Sequence, residues 1–193
     1  VRHLLQHSAG LPAEIPFFEY LDRVNKTTRR GIVGSRGARD YVLSELQQLE
    51  LRYEPGSRQV ESDVGFMLLG FLVEELTGLS LKRAAERYVV QPLGLRSSGF
   101  IDSSMVRRRK VEVVSDCIAP TEECSLRKRL LLGEVHDENT WALGGISGHA
   151  GLFSNVLIPR DSPVSCFALH VEKAIFFPGT WCRDFPAGKL SSW

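Results

Sequence analysis

Apolar residues recur at helical spacing in several stretches of this chain, and glycine and proline punctuate the gaps between them. Across residues 37–51, Val42, Leu43, Leu46 and Leu49 share one face with polar residues between them, which predicts a surface helix with one buried stripe. The stretch "SDVGFMLLGFLVEELTGLS" predicts a longer helix. Ser62 or Asp63 can cap its start and Gly78 can close its end, and the run between them is apolar until Glu74 and Glu75, so burial on most sides is expected. Ser80 can cap a further helix through "LKRAAERYVV", which Pro92 and Gly94 end, and the short link predicts an antiparallel pair.

The pattern is weaker elsewhere. "VRHLLQH" reads as the last turns of a helix that stops at "SAGLP", and the residues from there to Gly37 read as loop. "YEPGSR" turns the chain at Pro55 and Gly56. Residues 101–132 mix charge with short β-branched runs such as "VEVVSD", which predicts irregular structure with one short strand. After Asn155 no period survives, so residues 156–193 are expected to be a divergent tail and not a second domain.

Composition narrows the class. A chain of 193 residues with 43% hydrophobic and 24% charged residues has the balance of one globular domain. A net charge of +1 offers no basic face for nucleic acid, and the run from Arg107 to Lys110 reads as a solvated surface. No apolar run reaches the length of a membrane span and no signal peptide opens the sequence. The chain starts at Val1 and not at methionine, so a missing N-terminal portion is expected and the compartment stays open. Cys117, Cys124, Cys166 and Cys182 allow three pairings, and their spacing is unlike a zinc knuckle. No cofactor is expected.

Candidate chemistry gathers in "GEVHDENTWALGGISGHAGLFSN", from Gly133 to Asn155. His136, Asp137 and His149 have the donor types of a metal hydrolase, but neither H-E-x-x-H nor a cysteine pair accompanies them, so no metal is assigned. His3 and His7, one helical turn apart, are also read as unligated. "GGISGH" nearly gives the G-x-S-x-G elbow around Ser147, with His149 where the last glycine belongs and no strand–turn–helix context. The simplest reading is a polar loop in which His136, Asp137, Glu138 and Asn139 satisfy backbone groups beside a glycine-rich wall.

Three stretches together resemble serine hydrolases of the β-lactamase and penicillin-binding-protein superfamily, in its class C-like branch with esterases and D-aminopeptidases. They are "VRHLLQHSAGLP", the long segment from "YEPGSR" to "PLGLRSSGF", and the glycine-rich segment, and they cover about residues 1–155. The resemblance implies an α+β fold, here a β-lactamase/DD-peptidase-like fragment: mainly the helical subdomain, with most of the antiparallel sheet missing. It implies acyl-serine hydrolysis of an ester, a β-lactam or a D-amino-acid peptide, with a small-molecule or peptidoglycan-like substrate. A periplasmic or other extracytoplasmic location would follow for the family. In such enzymes a serine in S-x-x-K attacks, the lysine and the tyrosine of a Y-[SA]-[ND] box move the protons, and a K-T-G or H-T-G strand holds the substrate.

The sequence departs from that pattern at each box. The S-x-x-K is expected upstream of residue 1. The tetrapeptide Ser125-Leu126-Arg127-Lys128 matches the spacing but lies in a charged connection, and is read as chance. The second box aligns on Glu61, Ser62 and Asp63, with Glu61 at the tyrosine position. A carboxyl titrating near ~4.3 can accept a proton but is a poor carrier of one to a leaving group, unlike a phenol near ~10. Ser62 and Asp63 fit both the box and a helix cap. The third box is absent from its expected place. By resemblance, His136, Asp137, Asn139, Gly148, His149 and Gly151 line the substrate cleft, with Ser154 capping a following helix. The expectation is an incomplete or degenerate copy without turnover; the alternative is a non-catalytic peptide- or glycan-binding module. Loss of the sheet would leave the apolar face of "VGFMLLGFLVEEL" uncovered and prone to self-association.

Overall fold

The computed structural model describes residues 1–28, 31–103, 106 and 118–154. Among them, helices dominate: α1 (Arg2–Leu5), α2 (Phe17–Thr28), α3 (Arg36–Gln47), α4 (Asp63–Thr77), α5 (Leu81–Ala85) and α6 (Glu138–Ala142). Strands are short and antiparallel: β1 (Gly99–Phe100) pairs with β4 (Leu152–Phe153), and β2 (Glu122–Cys124) with β3 (Arg129–Leu131). The "VEVVSD" run and the tail after Ser154 lie outside the described residues.

The core is built by α2, α3, α4 and α6. Phe17 and Leu21 from α2, Ala38, Val42 and Leu46 from α3, Val64 and Met67 from α4, and Ala142 with Leu143 at the end of α6 form one cluster, joined by Leu11. In α3 the buried positions are spaced by four, so one stripe faces α4 while the opposite side is solvated. Ser35 caps this helix by accepting from the Ala38 N–H.

Helix α2 corrects the loop expected there. Phe17, Leu21 and Val24 fall at i, i+4 and i+7, and Pro16 precedes the helix, where its missing N–H costs no intrahelical bond. Asn139, 3% exposed, then ties this helix start to α6: its Nδ2 donates to the Ile15 carbonyl (2.9 Å) and its Oδ1 accepts from the Phe18 N–H (3.1 Å).

Helix α4 has both expected caps. The Ser62 hydroxyl accepts from the Gly65 N–H at 3.1 Å, and Gly78 closes the helix in the left-handed conformation. Burial is narrower than expected: Val64, Gly65, Met67 and Gly70 are buried, but Val73 and Leu76 emerge, Leu76 with 76% of its surface exposed. The core and the glycine-rich loop cover only the first half of the helix. Helix α5, capped by Ser80 and continued by a π-helical turn (Glu86–Val90), also departs from expectation. The chain bends by 77° between α4 and α5 and does not fold back antiparallel. The Glu74 carboxylate accepts from the Leu81 N–H at 2.7 Å and also pairs with Arg39 of α3, which holds the bend against the neighbouring helix. No single helix among the described residues is long and apolar enough to cross a membrane.

Candidate functional site

The site lies where the start of α4 meets the start of α6 and the loop that follows it. Ser62 sits just before α4 and is 4% exposed. Its hydroxyl donates to the Pro12 carbonyl at 2.6 Å while accepting from Gly65, and its own N–H donates to His7 Nδ1 at 3.0 Å. The His7 ring is held by stacking on Phe66, with centroids 4.9 Å apart. Both capacities of the Ser62 hydroxyl are therefore spent on backbone groups. His7 serves as an acceptor for Ser62, while His3 bonds Ser8 (3.0 Å), so the two histidines do not form a joint ligand pair.

Asp63 opens α4, where a carboxylate is favoured by the positive end of the helix. Its N–H donates to the Ala13 carbonyl at 2.9 Å. Its carboxylate approaches Asp137 and His149, and one donor atom from each of the three lies within 4.8 Å of the others. Glu61, two residues earlier, is exposed.

Asp137 caps α6, accepting from the Thr140 N–H at 2.7 Å. The same oxygen lies 2.9 Å from His149 Nε2, and Thr140 Oγ1 lies 3.2 Å from that nitrogen. The other ring nitrogen, Nδ1, lies 2.9 Å from Ser147 Oγ. Burial alone would push the Asp137 carboxyl up; the hydrogen bond and charge of His149 and the bonds from Thr140 outweigh it and hold the group well below the usual carboxylate range. The His149 side chain is only 2% exposed.

Glycines bring this loop onto α4. A Cβ on Gly148 would stand 1.9 Å from the Phe66 carbonyl oxygen, so only glycine lets the loop backbone lie directly on the helix. Gly151, at φ +103°, turns the chain back so that it passes beside the Gly145 carbonyl, 2.3 Å from where a Cβ would stand. These contacts return His149 to Asp137 across a separation of 12 residues.

The structure thus joins Asp63, Asp137, Ser147 and His149 at one place. It assigns Asn139 to the anchoring of α2. His136 is exposed and faces β2, with its Nε2 3.3 Å from Glu122 Oε2, and Asp63 stands in its place in the only group of donors close enough to share a cation among the described residues. Ser125 and Lys128 lie in the exposed turn between β2 and β3, not on a helix. In that hairpin Cys124 is buried as a free thiol and accepts from Arg127 N and Nε. Sequence reasoning quoted Ser147 and His149 together, as a failed elbow, and missed their contact; the signal was Ser-x-His beside the Asp137 capping position.

Comparison with known proteins places this architecture. Residues 1–157 match the family model described as Beta-lactamase, and the chain belongs to that family. Its helices and short antiparallel ladders are accordingly part of the α+β β-lactamase and penicillin-binding-protein fold. Among curated relatives, the Escherichia coli K12 protein named "Putative D-alanyl-D-alanine carboxypeptidase" is 33% identical over 163 residues, which is 80% of this chain and 35% of that protein. A Salmonella schwarzengrund protein of the same name is 32% identical over 160 residues, again 35% of its length. The chain therefore spans about a third of the curated relatives it matches. Among solved structures, a penicillin-binding protein from Bacillus halodurans is 28% identical, with a TM-score of 0.41 over 53% of this chain and 30% of that one.

Proposed function

We propose that this chain supplies the helical wall and the second-box edge of the cleft of a β-lactamase-family serine hydrolase. Its substrate class is small acyl compounds and peptidoglycan-like peptides ending in D-alanine, in keeping with the names of its relatives. We further propose that the 193-residue chain turns over no such substrate by itself. The observation that carries both statements is the start of α4. Ser62 and Asp63 stand where the family's second box belongs, packed beside the glycine-rich loop, while exposed Glu61 takes the place of the proton-carrying tyrosine. A carboxyl group is a far stronger acid than a phenol and so a poorer carrier of a proton to a leaving group. The one S-x-x-K sequence lies in an exposed hairpin turn and not at the start of a buried helix, where the family's serine stands.

The test is a pair of measurements on the purified chain. Titration with a peptide ending in D-Ala-D-Ala should show saturable binding, and the same mixture should release no D-alanine. Hydrolysis of that peptide, a chromogenic ester or a cephalosporin that persists through purification and disappears in Glu61→Gln would overturn the inactive reading. Absence of binding by folded protein would overturn the cleft. Binding without release also describes a peptide-binding module, the second reading, which Glu61 favours.

A further inference from the structure

We infer that Ser147 is an activated nucleophile, with His149 as its base and Asp137 as the group that orients His149. The warrant is geometric. Ser147 Oγ lies 2.9 Å from His149 Nδ1, and His149 Nε2 lies 2.9 Å from Asp137 Oδ1, which is the serine–imidazole–carboxylate order recognised by roles and not by sequence position. The carboxylate can only accept, so the hydrogen between it and the ring sits on Nε2. In the neutral ring Nδ1 then carries the lone pair, and the Ser147 hydroxyl donates to it. Ser147 borders a shallow recess together with Arg39, Gly70, Phe71, Glu74 and Gly148. Arg39 and Glu74 on its rim are paired with each other, so neither competes for His149.

The step is a single displacement. Ser147 Oγ attacks the phosphorus of a small dialkyl fluorophosphate, its proton passes to His149 Nδ1, the new O–P bond forms and fluoride leaves with its electron pair. The product is a stable phosphoryl serine. This chemistry needs only the attack, so it is compatible with a chain that turns over no peptide. A divalent cation held by Asp63, Asp137 and His149 would take the Nε2 lone pair, leave the hydrogen on Nδ1 and quench Ser147, which makes zinc a probe of the same proton arrangement.

The full chain is incubated with diisopropyl fluorophosphate, followed by intact mass and mapped by peptide sequencing. Exposed Ser125, which has no imidazole partner among the described residues, is the internal baseline. Ser147 should be modified at least about 10²-fold faster than Ser125, the lower end of what a positioned base contributes. The adduct should vanish in Ser147→Ala, fall by a similar factor in His149→Gln, and slow in added zinc. Equal rates at Ser147 and Ser125, or no adduct on protein that melts cooperatively, would overturn the inference whether or not His149→Gln folds. D-alanine release is read separately, so failure here leaves the proposed substrate class standing, and hydrolysis surviving Ser147→Ala would sink the inactive reading alone.

Discussion

Ser62 and Ser147 are both buried serines in hydrogen-bonded networks on either side of the α4–loop contact, yet their hydroxyl protons go to different places. Ser62 gives its proton toward a backbone carbonyl, which has no useful basicity, so the hydroxyl is a cap and a strut. Ser147 gives its proton toward an imidazole that a carboxylate holds in place. Burial and bond length hardly distinguish them. The identity of the acceptor does, and it makes one serine structural and the other a candidate for chemistry.

The comparison breaks most completely if the loop is lifted from α4. Gly148→Ala places a methyl against the Phe66 carbonyl and should cost about 3 kcal/mol or more, seen as a large fall in the denaturation midpoint. A loss under about 0.5 kcal/mol would mean the loop does not rest on the helix. Asp137→Asn should cost about 2 kcal/mol at neutral pH, because it weakens a charge-assisted bond to His149 and a cap bond to Thr140. The pH dependence has a definite sign. Asp137 titrates lower in the folded chain than unfolded, so its contribution is present above the unfolded carboxyl's value near ~3.9 and is lost as pH falls below it. Thermal melts from pH 7 to pH 3 should fall less steeply for the variant than for the parent; parallel curves would remove Asp137 from the account.

Two smaller effects sharpen the contrast. Ser62→Ala should cost about 1–2 kcal/mol, since the Gly65 N–H loses its acceptor and the Pro12 carbonyl its donor. Ser147→Ala should cost about 1 kcal/mol or less while abolishing phosphorylation by the fluorophosphate. If Ser147→Ala proves the more damaging to stability, the two serines have been assigned the wrong way round. Smallest in stability is Leu76→Glu, within about 0.5 kcal/mol, because this side chain is already in solvent. It should nevertheless shift a self-associating chain toward monomer in size-exclusion chromatography, and a monomeric parent would end the idea that this face associates.

Local signals made part of this legible. Helix α4 announced both of its caps because Ser62 and Gly78 act within one turn of themselves. Its neighbour's direction was not legible: a short link limits the distance between two helices but leaves the angle to contacts such as Glu74 with Leu81 and Arg39. Helix α2 carried a helical period that the mixed sequence around it hid, and its start is fixed by Asn139 from far along the chain. The relay of Asp137, His149 and Ser147 was written in the sequence as a capping aspartate and a failed elbow. What joined them was backbone path, set by glycines whose individual turns do not add up to a motif.

The two bonds of Asn139 reach back 124 and 121 residues, to Ile15 and Phe18. During synthesis, at ~5–20 residues per second, the start of α2 therefore waits on the order of 10 s for the amide that completes its seat. Through that interval α2 has the stack of Tyr20 on Tyr41 of α3 available but not α6. The N-terminal helices are thus expected to dock early and lock late, and nascent chains arrested before residue 139 should be cut by protease near residues 15–18, whereas released chains resist.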